Sequence, residues 1–320
     1  MLTPQDLGGV MGMMPAFATA DSGDIQATST IDVGNLKAGV ERAIADGMDV
    51  ISTTGSFGEF HTLLDEEFQT LMRVSIDAVA GRVPLFVGCT SLNSREAVRK
   101  MRLARDAGAQ GVLVGVPFYF PSTVDNAINF YREISELFPS LAIMIYHNPA
   151  LHHVTLPVDA VSRICEAKNV VAMKDSHRDT PTFMRLAEAT HDRLSVFVNQ
   201  GQYHPYAQLG AAGCWSIEAW MGPWPLLRLR DAVRQGDREL ATQITLELTA
   251  GLGDGQPDLQ WRETASKIAI AQAGYVQPGP LRPPFNIVPD AVMQRIGRRV
   301  ESWQAMCEKY RPRVKASVAA

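Results

Sequence analysis

The stretch NVVAMKDS, residues 169–176, runs four apolar residues straight into a lysine. Lysine is among the residues least often buried, so an ammonium at the end of a dry strand either costs free energy or does work. If residues 170–174 form a strand, side-chain alternation sets Val170, Ala172 and Lys174 on one face and Val171 and Met173 on the other. Both faces stay apolar up to the lysine, and strands buried on both faces belong to parallel sheets covered by helices.

Seven further segments read the same way: 10–17, 48–53, 83–88, 111–115, 141–147, 194–199 and 213–218. Between them lie segments with apolar residues at i, i+3, i+4 and i+7, such as 33–47 and 94–108. Gly47, Gly81 and Gly108 stand where such helices end and the next strand begins, the position that favours glycine just past a helix C-terminus. Eight strand–helix alternations with apolar strands predict an α/β fold, a (β/α)8 TIM barrel, over residues 1–235. Three helical segments follow (238–252, 264–274 and 289–310), so residues 236–320 are expected to form a C-terminal helical extension. The four prolines of VQPGPLRPPFN (276–286) predict an ordered connector, and only the tail 314–320 is expected to be disordered.

Bulk properties exclude several classes. With 320 residues, 46% hydrophobic and 20% charged, the chain can bury a large core. A formal net charge of −4 provides no basic field, which argues against nucleic acid and anionic membrane partners. Cys89, Cys165, Cys214 and Cys307 are widely spaced, as expected of reduced, buried thiols. No signal-peptide pattern opens the chain and no 18-residue apolar run is present, so a cytoplasmic location is expected. Zinc-like spacing is missing, so no metal is expected, and His152 and His153 read as solvated loop residues.

Strand parity aims Lys174 into the barrel at the C-terminal strand ends, where barrel enzymes keep their chemistry. Desolvation there lowers an amine's pKa, and a neutral amine can attack a ketone to form a Schiff base. The alternative, equally compatible with the pattern, is a lysine that has left the strand and reaches water beside Asp175. In LAIMIYHNP (141–149), Tyr146 sits at the equivalent end of the preceding strand. It is either a proton shuttle beside the amine or a core-capping tyrosine with its hydroxyl in water. The second strand ends in Gly55–Ser56–Phe57–Gly58–Glu59, a tight turn whose backbone N–H groups and serine hydroxyl suit a carboxylate. Phe57, Trp215 and Trp220 offer flat apolar surface near the mouth, although Trp215 reads equally as a core residue and Trp220 also as packing under the C-terminal helices, where Trp224 is expected. Asn286, on its proline-stiffened loop, is either a further candidate for the site or one of the inert asparagines that loops around barrels carry.

Together these stretches resemble the class I pyruvate aldolase superfamily that includes dihydrodipicolinate synthase and N-acetylneuraminate lyase. The glycine-flanked turn, the YxNP segment and the apolar-strand lysine come in that family's order. The resemblance implies a barrel that binds pyruvate as a lysine Schiff base, needs no cofactor and assembles as a homotetramer. It makes Lys174 the Schiff-base lysine, Tyr146 the proton-shuttling tyrosine, and Gly55, Ser56 and Phe57 the carboxylate seat. Dihydrodipicolinate synthases carry two threonines where this chain has Ser56 and Phe57, and an arginine where it has Leu151. Tyr119 does match one of their relay tyrosines.

GSFGE (55–59), the long segment 20–32, CWS (214–216) and RPPFN (282–286) are similar instead to the trans-o-hydroxybenzylidenepyruvate hydratase-aldolase branch. That branch implies cleavage of an aryl-substituted unsaturated pyruvate to an aromatic aldehyde and pyruvate. The run DSHRDT (175–180) departs from it, which makes His177 and Arg178 candidate readers of the ring substituent. The other readings are a synthase or sugar-acid aldolase of the same superfamily and a non-catalytic barrel that binds 2-keto acids.

Overall fold

The structure, a computed structural model, describes residues 1–175, 177–250 and 259–312. The elements are β1 (Gly9–Met13), α1 (Val33–Ala45), β2 (Val50–Ser52), α2 (Asp65–Val79), β3 (Leu85–Gly88), α3 (Ser94–Asp106), β4 (Gly111–Val114) and α4 (Val124–Leu137). They continue with β5 (Ala142–His147), α5 (Pro149–His152), α6 (Val158–Ile164), β6 (Val170–Asp175), α7 (Thr180–Ala189), β7 (Ser195–Asn199), α8 (Tyr203–Ala207) and β8 (Gly213–Ser216). After the last strand come α9 (Trp224–Gln235), α10 (Arg238–Ala250), α11 (Leu259–Ala273) and α12 (Asp290–Tyr310). Strands β1 to β8 pair in parallel and in order, and β8 closes on β1: a TIM barrel followed by C-terminal helices. The tail 314–320 and the last two residues of the expected 238–252 helix lie outside the described residues.

Local chemistry fixes the boundaries. Asp32, Asn93, Thr123 and Asp179 cap helices α1, α3, α4 and α7, each side chain accepting a first-turn backbone N–H. Gly47 and Gly108 follow the C-caps of α1 and α3 at φ 101° and 87°, as their positions in sequence predict. Strand residues are buried almost throughout, as expected of a sheet sandwiched between a packed interior and a helical ring.

One detail departs from simple alternation. Ile143 pairs with Val170, but Met144 pairs with Ala172, so β6 takes one extra residue at Val171. Val170 therefore drops out of the face expected for it, while Ala172 and Lys174 keep step with Met144 and Tyr146. Among the described residues, no helix is long and apolar enough to cross a membrane.

Candidate active site

Tyr146 and Lys174 are direct cross-strand partners at the C-terminal ends of β5 and β6. Lys174 is 4% exposed, so its stem does not reach solvent. Its Nζ lies 3.7 Å from the centre of the Trp215 ring and 4.7 Å from that of Tyr146. Burial pulls its pKa from 10.5 down to about 7, against the opposing pull of Glu263 and Asp175. A large fraction of the amine is therefore neutral and nucleophilic near pH 7.

Tyr146 is buried as well, and its phenolic oxygen is 3.0 Å from the Ser56 hydroxyl. Burial raises the phenol's pKa and so favours its protonated form. Ser56 is held by a turn with little freedom. Thr54 and Glu59, which flank it, have φ of 41° and 54°, conformations uncommon outside glycine. Thr54 is anchored by its hydroxyl, which donates to the Gly88 carbonyl at 2.9 Å. A Cβ on Gly58 would meet the Thr54 nitrogen at 2.6 Å, so this glycine is required by the fold of the turn.

The strand end behind the lysine is braced. Trp215 Nε1 donates to the Asp175 carbonyl at 2.9 Å. The Asp175 carboxylate, 2% exposed, takes Arg178 on one oxygen and His147 Nδ1 on the other, both at 2.8 Å. Burial alone would raise this carboxyl, but the His147 hydrogen bond and the Arg178 charge hold it at about 2. The Leu156 N–H donates to His147 Nε2 at 3.1 Å, which leaves Nδ1–H to face Asp175. His147, Asp175 and His177 bring possible metal-ligand atoms within 4.8 Å of one another, but His147 and Asp175 have these atoms engaged by protein donors and partners.

Two chambers open on this machinery. A polar one of about 350 Å³ contains Lys174, Tyr146, Asn148, His177, Trp215 and Arg299 among its walls. A more apolar one of about 250 Å³ is walled by Phe57, Phe60, Phe118, Leu151, Leu281 and Phe285. Phe57 and Glu263 line both. At the floor of the apolar chamber, Lys267 Nζ meets Glu59 Oε2 at 2.8 Å, and Arg282 binds the same oxygen.

Residues 12–301 match the dihydrodipicolinate synthetase family. The chain belongs to that family. It is 30% identical to a trans-O-hydroxybenzylidenepyruvate hydratase-aldolase of Pseudomonas aeruginosa, over 97% of this chain and 96% of that one. A trans-2'-carboxybenzalpyruvate hydratase-aldolase of Nocardioides sp. (strain KP7) is 26% identical over 97% and 96%. A 4-hydroxy-tetrahydrodipicolinate synthase of Methanoculleus marisnigri is 30% identical over 74% and 81%. Among solved structures, PhdJ bound to a substrate intermediate superposes with a TM-score of 0.92 at 28% identity, covering 97% of this chain and 99% of that one. The protein is thus an enzyme, a carbon–carbon lyase of the class I pyruvate aldolase type.

Within this family frame, the structure brings Lys174, Tyr146, Ser56, Phe57, Gly55 and Trp215 together and leaves two expected residues out. Tyr119 is 72% exposed and stacks edge-on against Phe120 at the surface. Asn286 is exposed and its side chain donates to the Gly23 carbonyl. Trp220 is fully buried against Phe17, outside the mouth, and Trp224 packs against Tyr275 as expected.

His152 is a correction. Expected in solvent, it is buried, because the short α5 turns it inward with its ring edge-on to Tyr146 at 4.8 Å. Burial, and then the charge of Lys174, drive its pKa to about 3, so it stays neutral. Arg178 is also buried and braces Asp175, while His177 alone of that pair lines the polar chamber. Sequence reasoning missed Glu263, whose spacing from Lys267 on α11 looks like an ordinary i,i+4 surface pair.

Proposed function

We propose that the protein is a Schiff-base hydratase-aldolase of aromatic hydrocarbon breakdown. It cleaves an aryl-substituted unsaturated pyruvate, such as trans-o-hydroxybenzylidenepyruvate, to an aromatic aldehyde and pyruvate. The observation that carries this reading is a buried amine with a lowered pKa, facing a polar chamber that adjoins an aromatic-walled one. Leu151 and neutral His152 line the second chamber, and its cation Lys267 is tied to Glu59. That lining favours an uncharged ring over a second carboxylate.

In the proposed cycle, the Ser56 hydroxyl and the Phe57 N–H bind the substrate carboxylate. The neutral Lys174 amine attacks the 2-keto carbon, and Tyr146 delivers the proton that lets water leave, giving an iminium. The iminium conjugates with the alkene, so water adds at the carbon bearing the ring and a proton adds at the next carbon. Deprotonation of the new hydroxyl breaks the carbon–carbon bond, and the electron pair passes into the iminium as an enamine. The aldehyde departs, the enamine is protonated, and hydrolysis releases pyruvate and the amine. Trp215 walls the imine and keeps it dry.

Cytoplasmic action suits the four free, buried cysteines. The homotetramer belongs to the same proposal: exposed Tyr119 and Phe120 are the side chains that assembly would cover, and light scattering tests it.

The substrate reading is tested with purified protein and trans-o-hydroxybenzylidenepyruvate, following aldehyde release and pyruvate formation together. Strict use of polyol or amino-aldehyde substrates would overturn it. Borohydride with pyruvate should leave a stable adduct on Lys174 that Lys174→Ala abolishes, and its absence would overturn the Schiff-base step.

A further inference from the structure

The hydration step needs a base for water and an acid for the neighbouring carbon, at a place set by the shape of the site. The imine forms on Lys174 in the polar chamber. A ring seated in the aromatic chamber puts the carbon bearing it at the junction between the two. Among the described residues only Phe57 and Glu263 line both chambers, and Glu263 alone of the two can carry a proton.

The other titratable groups nearby are poorly placed or poorly tuned. Tyr146 lines only the polar chamber and is bonded to Ser56. His152 lines the aromatic chamber but is held at about 3, far too weak a base. His177 lines only the polar chamber. The Glu263 Oε2 atom, by contrast, is shut off from solvent, and no group among the described residues hydrogen-bonds it. An unmatched buried carboxyl oxygen is costly and calls for a partner, a role that a bound substrate or its attacking water fills.

We propose that Glu263, on α11, is the acid–base residue of the hydration and cleavage steps, serving the ring-bearing carbon while Tyr146 serves the imine. The proposal rests on the Schiff-base reading above. The Glu263 carboxylate takes a proton from water as the water oxygen bonds to the ring-bearing carbon. The alkene pair shifts toward nitrogen, giving an enamine, and the Glu263 acid then protonates the adjacent carbon and restores the iminium. The carboxylate next takes the hydroxyl proton as the carbon–carbon bond breaks. Finally the acid protonates the pyruvate enamine, which returns Glu263 to its starting state.

The charges around Glu263 time these events. Burial raises its pKa to about 7, while Lys174 and Arg262 lower it; Glu218 raises it and Arg299 lowers it. Free enzyme with a neutral amine therefore favours the protonated acid. The iminium places a fixed cation beside it and favours the carboxylate. Glu263 thus gives up a proton as the iminium forms, matching the one the departing water takes up by way of Tyr146, and it regains one when hydrolysis frees the neutral amine.

The test compares wild type with Glu263→Gln and Glu263→Asp. Both variants should keep the borohydride-trapped pyruvate adduct on Lys174. Glu263→Gln should lose about 100-fold or more in turnover of trans-o-hydroxybenzylidenepyruvate. It should also exchange the methyl protons of pyruvate with deuterium oxide more slowly by a similar factor, a readout that a packing role would not move. Glu263→Asp, with the carboxyl withdrawn by one methylene, should retain exchange but lose about 10-fold or more in turnover. Wild-type turnover and exchange in Glu263→Gln, with the adduct intact, would overturn the role of Glu263 alone. A wild-type protein that forms no pyruvate adduct would overturn the Schiff-base reading and this proposal with it.

Discussion

Replacing Lys174 by methionine should make the protein more stable, and by an amount that depends on pH. The folded amine titrates near 7, against 10.5 when solvated, because burial penalises its charge. At about 1.4 kcal/mol per pH unit, that drop corresponds to a ceiling of about 5 kcal/mol. The sign follows from proton counting. Below pH 7 both folded and unfolded chains hold the proton, so the penalty of a buried charge is present in full. From pH 7 to 10.5 the folded amine releases its proton while the unfolded one keeps it, and the folded state gains with rising pH.

Methionine keeps the length and flexibility of the stem without the charge, so Lys174→Met should gain about 2–4 kcal/mol at pH 6. By pH 10 the gap should fall within about 1 kcal/mol. Urea unfolding followed by circular dichroism at pH 6, 8 and 10 measures this, with unchanged m-values confirming that the same surface is exposed. A variant no more stable than wild type at pH 6, or a gap that ignores pH, would refute the idea that desolvation sets this amine's pKa. The same variant loses the proposed nucleophile, so on that reading the experiment also measures how much stability the site gives up for chemistry.

Three further outcomes are expected. Ser56→Ala removes the hydroxyl 3.0 Å from Tyr146 and should lower kcat/KM for the arylidenepyruvate about 10–100-fold, read from steady-state kinetics. Glu59→Gln leaves Lys267 and Arg282, 2% exposed each, without their carboxylate and should destabilise the fold by about 3–5 kcal/mol at pH 7. That loss should shrink at pH 9, because burial holds Lys267 at about 8 and its charge is then mostly gone; a pH-independent loss in urea unfolding would contradict this. Leu151→Arg puts a guanidinium into the aromatic chamber and should raise KM for the o-hydroxy substrate about 10-fold while improving a 2'-carboxy analogue, measured side by side.

Much of the fold was legible because each level of the sequence agreed with the next. Apolar strands, amphipathic helices and glycines at helix ends all pointed to one barrel, and Tyr146 and Lys174 do pair across β5 and β6. The extra residue at Val171 was not legible, since only pairing with β5 reveals it. Two stretches that marked the aryl-pyruvate branch turn out to contact each other. Arg282 of RPPFN binds the carbonyl and hydroxyl of Thr30 in the 20–32 segment, and Asn286 reaches Gly23 there. The sequence signalled a relationship, whereas the reason is a clasp between distant segments. Glu263 was hidden for a related reason: one carboxylate on a helix looks like solvent-facing charge until α11 is seen to lie over the barrel mouth.

The lysine's tuning follows from what stands behind it. A long flexible amine at a strand end ordinarily bends toward water with its charge intact. Here the Trp215 ring covers Nζ, and the indole N–H fastens that ring to the carbonyl of Asp175, the next residue along the chain. Asp175 cannot shift to release the tryptophan, because His147 and Arg178 grip its two oxygens. Arg178 is fixed in turn: its guanidinium donates to the Leu156 carbonyl, and its own carbonyl accepts the Tyr206 hydroxyl at 3.1 Å. The buried charges of DSHRDT therefore act one step removed from the substrate, as the brace that denies the amine a route to solvent. Among the described residues of that run only His177 faces the polar chamber, so among them any reading of the substrate falls to His177, and Arg178 acts through the lysine.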